Sequence, residues 1–215
     1  ISDRWGNHLP EDYVLRFRTG DYPPSLSMAG VSGIAGTYNA YWPAEVVLNH
    51  RNIEGVEWAL FRLSLETYLK FEGEYGWSAY EKFVPSEKDL LNQGTLTFDT
   101  PRNAPGRTKL ALGGPAGATL PAGLYFLRIL PTGLSDKQRA EHAIRHVMIV
   151  SPYHLILKAG AVESLLWAID WKTGEPARDI AVRLYDEQGQ EIAAGRTDAR
   201  GVFRSAHAQQ DLWSS

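Results

Sequence analysis

The sequence predicts an all-β chain of tandem β-sandwiches, and three observations carry that expectation. Apolar residues recur with a period of two along most of the chain, Gly and Pro punctuate the runs at short intervals, and the runs fall into two series parted near Pro152. A length of 215 residues accommodates two ordinary domains. With 44% hydrophobic and 22% charged residues, the composition is that of a folded protein rather than a disordered one.

Taken in order, Tyr13, Leu15 and Phe17 alternate with Val14, Arg16 and Arg18, which predicts a strand up to Thr19 that Asp21-Tyr22-Pro23-Pro24 stops. A strand followed by a Pro-rich link reads as a domain end, so residues 1–22 are expected to be the C-terminal strand region of a preceding module. Residues 23–152 carry a sandwich's worth of strands: Glu45 to Asn49, Val56 to Leu63, Thr95 to Thr100, Thr108 to Leu112, Leu124 to Leu130 and His146 to Val150. Turns are expected at Pro105-Gly106, Gly113-Gly114-Pro115 and Pro121-Ala122-Gly123, where a fixed or positive φ reverses the chain. Two stretches break the rhythm. Leu65, Tyr68 and Leu69 have helical spacing, and Ser135 to Arg145 is polar enough for a short helical or irregular insertion.

A second series follows in residues 153–215, with strands expected at His154 to Lys158, Leu165 to Trp171, Ile180 to Tyr185, Glu191 to Ala194 and Gly201 to Phe203. It falls short of the roughly 100 residues of a seven-stranded sandwich, so an incomplete module with an open edge or exposed core is expected. The start, Ile1-Ser2-Asp3-Arg4-Trp5, has neither a methionine nor a signal-peptide pattern, and the chain reads as a piece of something longer.

Several function classes are disfavoured. A net charge of -3 without a Lys/Arg run gives no electrostatic footprint for nucleic acid. The absence of cysteine rules out a disulfide, a thiolate metal site, a cysteine nucleophile or an internal thioester within these residues. No apolar run approaches the roughly 18 residues of a transmembrane helix.

Candidate chemistry is sparse. His142 and His146, four apart beside Glu141, would share a helix face as metal ligands, but no third ligand is evident and a solvated polar excursion is the simpler account. Gly30-Val31-Ser32-Gly33 lacks the spacing of a nucleophile elbow, and the proline in Gly113-Gly114-Pro115-Ala116-Gly117 removes a donor that a phosphate cradle would use. Glu66, Glu72, Glu74, Glu87 and Asp89 are numerous enough for a carboxylate pair, yet such residues mostly sit on solvated surfaces. No catalytic residue, metal ligand or cofactor is expected. The most suggestive feature is the aromatic run Tyr75, Trp77, Tyr80 and Phe83, which suits a ligand platform or an interdomain contact. A segment folded over its own core would need the same residues. Trp58, Trp167 and Trp171, within expected strands, read as core or interdomain residues.

The run Glu45-Val46-Val47-Leu48-Asn49-His50-Arg51-Asn52-Ile53, followed by Val56 to Leu63, resembles a strand pair of macroglobulin-type domains in bacterial alpha-2-macroglobulin-like proteins. Leu120-Pro121-Ala122-Gly123-Leu124-Tyr125-Phe126 is similar to the turn before a late strand of that domain. His154 to Lys158, Leu166 to Asp170, Thr173 to Pro176 and Thr197 to Phe203 resemble the start of the next one. Asp3 to Pro10 with the strand at Tyr13 to Thr19 is similar to the end of a bacterial immunoglobulin-like domain. The resemblance implies immunoglobulin-like sandwiches acting as a non-catalytic scaffold in a protease-trapping inhibitor. It also implies an extracytoplasmic setting, with neighbouring domains and, through the full-length parent, target proteases as partners. A carbohydrate-binding or adhesive module is the competing expectation.

Overall fold

The computed structural model describes residues 2–8, 11, 14–73, 75–114, 117–186 and 188–207. In chain order the elements of the first series are β1 (Ser25–Met28), β2 (Ala35–Asn39), β3 (Glu45–Arg51), β4 (Gly55–Arg62), α1 (Leu65–Glu72), α2 (Gly76–Lys82), β5 (Leu90–Thr97), β6 (Gly106–Ala111), β7 (Gly123–Thr132), α3 (Asp136–Glu141) and β8 (Ile144–Ser151). The second series is β9 (Tyr153–Ala159), β10 (Glu163–Asp170), β11 (Ala181–Tyr185), β12 (Glu191–Arg196) and β13 (Val202–Ala206). The fold is all-β with short helical insertions.

A three-stranded antiparallel sheet, β1-β3-β6, faces a five-stranded sheet, β2-β8-β7-β4-β5. All pairs of the larger sheet are antiparallel except β2 with β8, which run parallel from Ala35 opposite Val147 to Asn39 opposite Ser151. Side chains alternate across a strand, and both sets are used. Val56, Trp58 and Leu60 of β4, with Leu127 and Ile129 of β7 and Met148 of β8, meet Leu48 and Leu110 of the smaller sheet in one core. Ala59, Phe61, Phe126 and Val147 point the other way, into a second core closed by Phe71 of α1 and Tyr80 of α2. The central strands β4, β7 and β8 are therefore buried on both faces for much of their length. This is why β4 reads Gly-Val-Glu-Trp-Ala-Leu-Phe-Arg, almost continuously apolar rather than alternating.

Two of the inserted helices, α1 and α3, start on capping serines. The Ser64 hydroxyl accepts from the Thr67 N–H at 3.1 Å, and Ser135 with Gln138 forms a reciprocal capping box at the start of α3.

In the second series β13-β10-β9 packs against the hairpin β11-β12 around Leu166, Ala168, Val182, Leu184 and Phe203. Leu155 and Leu157 lie across from Ala168 and Leu166 and so point to the same side, yet they are 51% and 53% exposed. That side of β9 is uncovered. Main-chain and ring contacts join the two series: Trp171 N–H donates to Pro152 O at 2.9 Å, and the Lys172 ammonium sits 5.9 Å from the Tyr41 ring centre.

Two sequence expectations change. Tyr13 lies outside the described residues, and 14–19 form no strand; Val14, Leu15 and Phe17 are exposed with no sheet beside them, and alternation without a hydrogen-bonding partner does not make a strand. Conversely, β1 and β2 were not expected, and β5 begins at Leu90 rather than Thr95.

Candidate contact site on the helical hairpin

The aromatic run lies on the hairpin formed by α1 and α2. The turn between them is tight. A Cβ on Gly76 would stand 2.0 Å from the Phe71 carbonyl oxygen, so only glycine lets α2 start there. The four sequence-predicted residues then part company. Tyr80 is buried and Phe83 half-buried, whereas Tyr75 is 76% and Trp77 65% exposed. Phe71 stands edge-on to Tyr80 at 5.5 Å and to Phe83 at 5.3 Å, and Phe83 meets Phe126 edge-on at 5.0 Å. These edge-to-face contacts seat the hairpin on the sheet. Trp77 sits 6.0 Å from Tyr80 with its ring tilted, at the rim of that cluster.

Arg145, at the start of β8, anchors the hairpin from below. Its Nη2 donates to Tyr80 O at 2.7 Å and to Phe83 O at 2.6 Å, while the Tyr80 hydroxyl donates back to Arg145 O. A cation at the C-terminal carbonyls of α2 complements the helix dipole and adds a donor beside the Phe83 N–H already on Tyr80 O. Burial lowers the Arg145 pKa and raises that of Tyr80, since each charged form is disfavoured away from water. Sequence inspection passed over Arg145 because it lies 62 residues from Phe83.

The remaining candidates are scattered. His142 is the C-terminal cap of α3, while His146 belongs to β8, so the shared helix face is not formed. No group of three or more His, Cys, Asp or Glu side chains suits a metal among the described residues. His146 is 1% exposed, its Nε2 3.0 Å from the Tyr38 hydroxyl. Glu66 pairs with Lys70 at 2.8 Å, Glu87 and Asp89 form an exposed 3₁₀ turn, and Glu74 lies outside the described residues, as do Pro115 and Ala116 of the glycine-rich loop. Ser32 sits in a loop between Gly30 and Gly33. Trp58 is core, Trp167 is 39% exposed on β10, and Trp171 stands edge-on to His154 at 5.0 Å in the turn after β10. Of the four aromatic residues, Tyr75 and Trp77 are thus the two left on the surface of the hairpin.

Neither a family model nor a curated protein matches the sequence. Solved structures do. Native alpha-2-macroglobulin from Escherichia coli, in a crystal structure spanning domains MG0-NIE-MG1, matches with a TM-score of 0.67 at 19% identity over 92% of this chain and 62% of that one. The structure spanning only NIE-MG1 matches with a TM-score of 0.61 at 19% identity over 90% of both chains. The chain has the fold of this alpha-2-macroglobulin segment. A Salmonella alpha-2-macroglobulin mutant gives a TM-score of 0.58 at 15% identity, over 89% of this chain and 11% of that one. The chain thus spans a minor part of the long Salmonella protein and less than two thirds of the three-domain E. coli fragment. The resemblance drawn from Glu45 to Leu63 and from Leu120 to Phe126 has its counterpart in the structure: those residues build β3, β4 and the start of β7.

Proposed function

We propose that this chain is a non-catalytic scaffold segment of a bacterial alpha-2-macroglobulin-like, protease-trapping protein that works outside the cytoplasm. The observation that carries the reading is the end-to-end likeness to the NIE-MG1 segment, over 90% of both chains. In this reading residues 1–22 close a preceding immunoglobulin-like module, 23–152 form a first macroglobulin-type sandwich and 153–215 belong to a second. Separate cores on either side of Pro152 support the division. Central strands buried on both faces suit a rigid spacer, and the contacts between the two series hold an angle between neighbours. Proteases would be partners of the full-length parent. No helix among the described residues is long and apolar enough to cross a membrane.

The test uses the full-length parent mixed with a broad-specificity protease, comparing cleavage of a large protein with that of a small peptide. Sparing of the large substrate alone supports a cage of which this chain is wall. Equal cleavage of both refutes it.

The exposure of Tyr75 and Trp77 favours one further role for this surface, contact with a ligand or a neighbouring domain. As a surface module the chain would bind glycans through these rings. A glycan array that is positive for the native chain and blank for Trp77→Ala would support that alternative, and a blank array for both would remove it.

A further inference from the structure

Two asparagines on separate turns hold the main chain of the N-terminal link. Asn52 follows β3 and Asn103 lies between β5 and β6; both adopt left-handed backbone, with φ of 52° and 66°, which asparagine tolerates better than most residues. Their amides bond to each other and to the link at once. Asn52 Nδ2 donates to Asn103 Oδ1 at 2.9 Å and to Tyr22 O at 2.7 Å, and Asn52 Oδ1 accepts from the Asn103 N–H at 2.7 Å. Asn103 Oδ1 accepts in turn from the Tyr22 N–H at 3.0 Å, and Asn103 Nδ2 donates to Asp21 Oδ1 at 3.0 Å. Both polar main-chain groups of Tyr22 are thus held, as a neighbouring strand would hold them. Arg102 pairs with Asp21, and the Arg51 guanidinium lies 4.6 Å from the Tyr22 ring centre.

A passive linker needs none of this. Just before it, Val14, Leu15 and Phe17 are 71%, 68% and 81% exposed, three apolar side chains in a short stretch without regular structure. We propose that Asn52 and Asn103 form an orientation lock. It fixes the direction in which residues 14–20 leave the first sandwich and presents Leu15 and Phe17, which share one face of an extended segment, to the sheet of the preceding module. The partner rests on the domain reading given above, in which residues 1–22 close that module. The likeness to an E. coli fragment in which a domain MG0 stands ahead of NIE-MG1 supports it. The lock itself rests only on the contacts.

The absence of cysteine allows clean labelling. Spin labels at Thr19→Cys and Thr95→Cys should give one narrow distance distribution in the otherwise native 215-residue chain. Asn52→Gly keeps the left-handed turn and deletes the amide. It should broaden the distribution and speed hydrogen exchange at the Tyr22 N–H by about tenfold, although Asn52 does not touch that N–H. Asn52→Asp, which keeps the acceptor and loses both donated bonds, should do the same if the glycine variant folds poorly. A distribution already broad in the native chain, or unchanged width and exchange in both variants, overturns the lock. The partner is read separately: Phe17→Ser should lower the melting temperature of a chain extended through the preceding module. An unchanged melting temperature there overturns the partner while the labels still decide the lock.

Discussion

Acid should weaken the first sandwich through His146. The ring is 1% exposed on β8, with Nε2 at the Tyr38 hydroxyl and Nδ1 buried without a partner, so a proton added there brings a charge with one neutral neighbour. Burial pulls its pKa from 6.5 down to about 4. Because the folded value lies below the unfolded one, the unfolded chain takes up a proton that the folded chain refuses. This contribution is therefore complete above pH 6.5 and is lost as pH falls toward 4. At 1.36 kcal/mol per unit the drop corresponds to about 3 kcal/mol, and relaxation around the charged ring brings the working figure to about 2 kcal/mol. For a sandwich of this size that is about 6 °C in melting temperature. His50, stacked on Phe98 at 3.6 Å and likewise lowered by burial, contributes with the same sign. The assay is calorimetry between pH 7 and 4 on the native chain and on His146→Gln, which keeps a polar side chain and cannot titrate, with an NMR titration of the ring. Parallel loss of stability in both proteins, or an imidazole titrating at its ordinary value, would refute the reasoning.

Phe126→Ala should cost about 4 kcal/mol in chemical denaturation, because the ring is fully buried under Tyr80 and Phe83. Trp77→Ala should shift stability by less than about 0.5 kcal/mol, whereas Tyr80→Ala should cost several-fold more; equal costs would place Trp77 in the core after all. Arg145→Met should lose about 2 kcal/mol and expose the amides of α1 and α2 to hydrogen exchange while the sheet amides stay protected. Limited proteolysis should cut beyond Tyr153 before it cuts β3 to β8, since Leu155 and Leu157 lie uncovered; even resistance along the chain would contradict this.

Strong local patterns were legible in the sequence. β3, β4, β7, β8 and β10 are runs rich in β-branched, leucine and aromatic residues, and they appear where the periodicity puts them. β1 and β2 were missed because Ser-Leu-Ser-Met and Ala-Gly-Thr-Tyr-Asn carry little apolar signal, and β2 is a strand through its parallel register on β8, more than a hundred residues away. The stretch around Leu15 shows the opposite error, a pattern with no partner beside it. Within the aromatic run, sequence placed all four rings together, but what sorts them is Phe71 on one helix and Phe126 on the sheet below. The asparagine network was hidden for a similar reason: Asn52 and Asn103 each look like ordinary turn residues until the fold sets them side by side.

The passage from β8 to β9 has a mechanical consequence. β8 ends at Ser151 and β9 begins at Tyr153, so Pro152 alone stands between them. Inside its sheet β8 is flanked by β2 on one side and β7 on the other. A pull on the second series along β9 enters the first sandwich as tension along β8, and hydrogen bonds to both neighbours then bear it in shear, many at once rather than one after another. The parallel pairing adds a second anchor, because the chain before β2 leads back toward the smaller sheet. Force passing along the molecule meets a strand gripped on two edges and covered on two faces, and the first sandwich transmits it as a strut would.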